Sequence, residues 1–112
     1  MTLQQKLRTF GELLADSVDN LHHYHRPNMT APFCVWAEDG ESESFHANNS
    51  KKEQAIVGTI DYYTKTEYDT VVDTIQATLE NADDLTVAWR LNTVDYEDDT
   101  NLIHWSWEWV IA

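Results

Sequence analysis

Cysteine occurs once in the sequence, at Cys34, so no disulfide can form within the chain and stability must come from packing. Its neighbours Phe33 and Val35 are apolar, which points to an inert strand thiol. Glycine is nearly as scarce. Three residues leave little room for a phosphate-cradling loop or a dinucleotide fingerprint, and no nucleophile motif is present. Positive charge is rare as well: seven Lys and Arg against twenty Asp and Glu give a formal net charge of −13. That sign repels phosphate backbones, so tight nucleic-acid binding is not expected. A long hydrophobic run is also missing. The opening "MTLQQKLRTFGELLADSV" mixes apolar and polar positions at helical spacing, without the continuous stretch that a signal peptide or membrane span requires. A cytosolic chain with no membrane partner is the expectation.

What is present is a foldable composition. With 42% hydrophobic and 12% aromatic residues the chain is too apolar for a disordered acidic tail, and 112 residues suit one domain over 1–112. The charge is uneven: Met1–Lys65 holds six basic and nine acidic residues, whereas Thr66–Ala112 holds only Arg90 against eleven acids.

Leu3, Leu7, Phe10, Leu14, Val18 and Leu21 recur at steps of three and four, predicting a first helix that ends near "HHYHRP". Pro27 and Pro32 punctuate a turn into a first strand over about Pro32–Glu38. A long polar loop follows at about 39–53. "QAIVGTIDYY" reads as a second strand, with Gly58 marking a bulge or a close approach. Thr64 and Glu67 have capping-box spacing, and Tyr68, Val71, Val72, Ile75 and Leu79 form the stripe of a second helix.

The last two segments, "LTVAWRLNTV" and "LIHWSWEWVIA", both alternate. Turning the hairpin about Asp99 with a loop of three or five residues sets Trp89 opposite Trp109, Leu91 opposite Trp107 and Val87 opposite Ile111. The same register sets Arg90 opposite Glu108 and Asn92 opposite Ser106. The tryptophan row is therefore expected to form a core wall, with Trp105, nearest the turn, as its exception. The whole predicts an α+β fold, an antiparallel sheet of about four strands with two helices on one face, in the order α-β-β-α-β-β.

Little in this pattern carries chemistry. His22, His23 and His25 lack the separation of about four that places ligands on one helix face, and no metal site is assigned. Asp83–Asp84 and Asp98–Asp99 sit in polar turns and read as solvated acids. No catalytic residue and no cofactor are expected. Glu41, Glu43, Phe45, His46, Asn48, Asn49, Lys51 and Lys52 in the long loop form a mixed set suited to an assembly interface.

From Ala31 onward, "APFCVWAEDGESESFHANNSKKEQAIVGTIDYYTKTEYDTVVDTIQ" and "AWRLNTVDYEDDTNLIHWSWEWVI" resemble small tail-completion proteins of long-tailed phages and of Gram-positive prophages. The resemblance lies in a strand with an acidic end, a strand leading to a capped helix, and a terminal hairpin with an acidic turn and an aromatic strand. It implies a virion structural protein of tail terminator type. Such a subunit self-associates into a ring, commonly a hexamer, that joins tail tube to head connector after assembly in the host bacterial cytoplasm. An acidic ring lining would keep passing DNA from sticking. The alternative is an acidic DNA mimic that inhibits a host defence nuclease, and a small histidine-metal enzyme is the third reading.

Overall fold

In the computed structural model, residues 1–42 and 54–112 are described. Thr2 starts the first helix with a reciprocal cap: its hydroxyl accepts from the Gln5 N–H while the Gln5 side chain accepts from the Thr2 N–H. This helix, α1 (Leu3–Ser17), buries Phe10 and Leu14. It stops earlier than the stripe suggests, because Val18 is already extended and Asn20 takes a left-handed φ of 54° that turns the chain. Leu21 thus leaves the helix and opens β1 (Leu21–His23). Three residues are too few to show a strand period, so this element is invisible in the pattern.

β1 pairs in parallel with β2 (Phe33–Glu41), which is antiparallel to β3 (Ile56–Thr64). Helix α2 (Thr70–Glu80) and the hairpin of β4 (Val87–Glu97) and β5 (Leu102–Ile111) complete the chain. The sheet has five strands in the order β1-β2-β3-β5-β4. It is mixed, with one parallel pair, and not an antiparallel sheet of four; the element order is α-β-β-β-α-β-β. No helix among the described residues is long and apolar enough to cross a membrane.

Both helices lie on one face, where Phe10, Leu14, Val72, Ile75 and Leu79 meet Trp36, Ile60, Trp107 and Trp109. Trp107, Trp109 and Ile111 are fully buried, while Trp105 is half-buried at the margin. Burying two indoles contributes on the order of 4–6 kcal/mol each. The row is a core wall, as its alternation predicts. Polar positions of α2 fasten it: Gln76 accepts from the Trp107 Nε1–H at 3.1 Å, and Glu80 accepts from the Trp89 Nε1–H at 2.8 Å. Trp109 Nε1 is buried without an acceptor among the described residues. Cys34 is wholly buried on the same face, and that burial pushes its thiol up to about 12.

The final hairpin keeps the expected register at Val87–Ile111, Trp89–Trp109, Arg90–Glu108 and Leu91–Trp107. It then departs from it. A bulge between Leu91 and Thr93 takes Asn92 out of the ladder, so Thr93 and not Asn92 faces Ser106. The extra residue also changes the parity of the turn, and β4 continues through Asp95, Tyr96 and Glu97 before Glu97 pairs with Leu102. An alternation argument carries no signal for a single inserted residue.

The other end of the sheet differs likewise. β2 runs on through Asp39, Gly40 and Glu41, past the predicted stop at Glu38, with a bulge between Glu38 and Gly40. Gly58 is a close approach: a Cβ there would run into the Trp109 ring and the Ala37 carbonyl oxygen. The Thr64–Glu67 cap fails. Tyr68 takes a left-handed φ of 54°, and α2 begins only at Thr70 with Asp69 as its N-cap.

Two substitutions check this packing. Trp107→Ala should cost about 3–5 kcal/mol, read as a lower urea midpoint at constant slope. An unchanged midpoint would return the row to the surface. Gly58→Ala should cost at least about 1–3 kcal/mol, since the ring and the strand carbonyl both have to move.

Candidate assembly interface

Of the interface residues singled out from the sequence, Glu41 alone lies among the described residues. Glu41 is the last residue of β2, opposite Ile56, and accepts from the Gln54 side chain at 3.2 Å. Glu43, Phe45, His46, Asn48, Asn49, Lys51 and Lys52 lie outside the described residues. His22 and His23 sit on β1, where alternation turns them to opposite faces, and His104 bonds Asp61 across the sheet at 2.7 Å. Among the described residues no three His, Cys, Asp or Glu side chains gather as a metal site.

A different surface stands out at the far end of the hairpin. An 11-residue α2 spans roughly 16 Å, whereas the 11-residue β4 spans roughly 36 Å. The hairpin therefore outruns its cover, and the molecule is elongated, 49 × 25 × 23 Å. Leu91, Val94 and Tyr96 pair with Trp107, Trp105 and Ile103, so all three share the helix-side face. Neither α1 nor α2 covers them, and they are 40%, 47% and 59% exposed. β4 is also a sheet edge, with one long side free of strand partners among the described residues.

Where α2 begins, this face runs into a cleft of about 390 Å³ lined by Glu67, Tyr68, Asp69, Val72, Asp73, Ile103 and Trp105. Asp69 is held firmly. Its carboxylate accepts from the Tyr62 hydroxyl and the Thr64 hydroxyl, both at 2.7 Å, and from the Val71 N–H at 3.0 Å. Burial works to raise this carboxyl, but the three donors outweigh it and hold it below the usual aspartate value. Tyr68 is the opposite case: 95% exposed on a left-handed backbone, it gains nothing from packing.

A second groove, of about 600 Å³, lies between α1 and the β1–β2 edge, with Trp36, His23, Tyr24, Glu38, Gly11 and Glu12 on its walls. His23 is sandwiched, its ring 3.8 Å from Trp36 and 3.8 Å from Tyr24. Consecutive residues can stack in this way because Tyr24 also adopts a left-handed φ, 74°. Glu38 ties the stack together. Burial favours its neutral form, but hydrogen bonds from Tyr24, from its own backbone N–H and from His23, with the charge of His23, hold the carboxyl below its ordinary value. The same bond raises the Tyr24 hydroxyl.

On the opposite face, Phe33, Tyr63 and His104 form a ring ladder with centroid spacings of 4.8 and 4.2 Å. The Arg26 guanidinium lies 4.4 Å over Tyr63 and pairs with Glu97 at 3.6 Å. Arg26 and Ala31 pack against this ladder, which forms a second, smaller apolar cluster with Leu102. Compared with protein-family models and with curated proteins, the chain matches none.

The hairpin surface escapes the sequence reading because alternation assigns only Leu91 of its residues to the apolar face, and assigns it inward. Tyr68 falls in the helix stripe, Val94 closes the alternating segment "LTVAWRLNTV" on the outward parity, and Tyr96 falls in the turn. The available signal was length: an alternating hairpin longer than the helix over it must leave part of its apolar face open.

Two measurements probe this region. Asp69→Ala should cost about 2–3 kcal/mol, joining the loss of an N-cap to an unsatisfied buried Tyr62 hydroxyl. Because the folded carboxyl is depressed, its contribution is complete above roughly pH 4 and is lost as pH falls through the lower folded value. The variant should therefore show a shallower acid destabilisation than the parent. Tyr68→Gly should leave the thermal midpoint unchanged or raise stability by up to about 1 kcal/mol, since it relieves a left-handed backbone without removing a contact.

Proposed function

We propose that the protein is a non-catalytic assembly subunit that acts at the head-tail junction of a long-tailed phage or prophage, as a tail-completion protein of terminator type. One observation carries the assembly part of this reading: the β4–β5 hairpin extends beyond α2 and presents a free strand edge with Leu91, Val94 and Tyr96 beside it. Contiguous apolar surface next to an unprotected edge is costly for a protein that works alone and useful to one that docks. The setting comes from the resemblance of Ala31–Ala112 to tail-completion proteins. In that setting copies join by heterologous contacts into a closed ring, and an acidic C-terminal half keeps DNA from adhering in passage.

Deleting the gene should leave filled heads and tails that fail to join, or tails of abnormal length, while DNA replication and lysis proceed. Electron microscopy of the lysate reads this directly. Normal joined particles together with lost resistance to a host nuclease would overturn the proposal in favour of the DNA mimic.

A further inference from the structure

The two faces of β4 differ in a way that specifies a partner. On the helix-side face it shows Leu91, Val94 and Tyr96; on the opposite face, Asp95 faces His104 and Glu97 faces Leu102 across the ladder. A strand added to this edge would alternate in step, with apolar side chains against the first face and side chains beside Asp95 and Glu97 on the second. The surroundings are acidic on both sides: Glu67 and Asp73 line the cleft next to Trp105, and Asp98 and Asp99 stand in the turn. Arg90 lies 3.3 Å from Glu108 and Arg26 lies 3.6 Å from Glu97, which leaves Asp95 as the acid of the second face open to a partner's cation.

We propose that β4 is a strand-addition site for an extended segment of a partner protein in which basic and apolar residues alternate. Charge decides between occupants. A second copy added edge to edge would set the Asp95 and Glu97 of each strand among like charges, so the acids guard this edge against self-pairing. An acidic or phosphate-bearing partner meets the same repulsion. A basic segment gains on every count: its apolar side chains cover Leu91, Val94 and Tyr96, its backbone pairs with the edge, and its cations stand on the opposite face beside Asp95, while Glu67 and Asp73 add to the negative field on the helix side. Ring contacts between copies then lie elsewhere on the molecule. The inference rests on the assembly reading and adds to it the chemistry of one contact.

The test uses the full chain, isotopically labelled for NMR, and three synthetic peptides of about nine residues, enough to span a strand, the third carrying lysine without apolar residues. One alternates Lys with Val and Tyr; its twin carries Glu in place of Lys. The basic peptide should shift amides from Leu91 to Glu97 and the Trp105 indole, and bind at least tenfold more tightly than the acidic twin. Val94→Glu and Asp95→Lys, both at exposed positions, should each weaken it at least fivefold with the melting temperature within a few degrees of the parent. Equal binding of a lysine peptide without apolar residues, shifts that avoid β4, or no binding would overturn the site. Concentration-dependent shifts in β4 without peptide would give the edge to a second copy and also overturn it. The phage deletion phenotype is independent of all these outcomes, so the docking site can fail while the junction role stands, and the reverse.

Discussion

Trp107 and Trp109, adjacent on one face of a central strand, constrain the rest of the molecule. Two indoles side by side need both volume and backbone clearance, and the chain supplies each at a definite position. Gly58 clears the strand beside Trp109, and Gly11 on α1 clears the helix over Trp36, where a Cβ would stand 2.6 Å from the indole ring. Phe10 fills the space between, its ring 4.8 Å from Trp109 and 5.7 Å from Trp36. The helices are positioned by these rings at least as much as by contact with one another, which includes a bond from the Thr78 hydroxyl to Ser17 at 2.9 Å.

That arrangement concentrates stability at one end of the sheet and leaves the other thinly covered. β3 and β5 are bonded on both sides, whereas β4 has a neighbour on one side only and outlasts the helix above it. The bulge at Asn92 lengthens this open part by one residue while keeping Val94 and Tyr96 on the face of Trp105. Without it the alternation would carry Asp95 to the apolar side. Rigid core and exposed hairpin are thus parts of one ladder, which suits a surface that docks without first having to order itself.

What could be read from the sequence follows from signal length. The helix stripes, the inward tryptophans and four of the hairpin pairings rest on repeated residues, and each recurs in the structure. Short or single-residue events do not repeat and so left no trace: β1, the two bulges, and the left-handed turns at Asn20, Tyr24 and Tyr68. The Thr64–Glu67 spacing imitated a cap that Asp69 supplies instead, with Thr64 retained as one of its donors. The hairpin surface was legible only in part, because exposure on an apolar face depends on the relative lengths of elements that pack together. The junction role still rests on resemblance and on this surface.

The lone thiol has a practical consequence. Cys34 sits at the floor of the helix-side core with its pKa pushed up to about 12, so in the folded state it is both inaccessible and protonated. A thiol-reactive reagent can then modify the chain only when the sheet opens beneath α1. The rate of labelling reports the frequency of that opening, and the molecule carries one built-in clock for its own unfolding, with no second cysteine to confuse the reading.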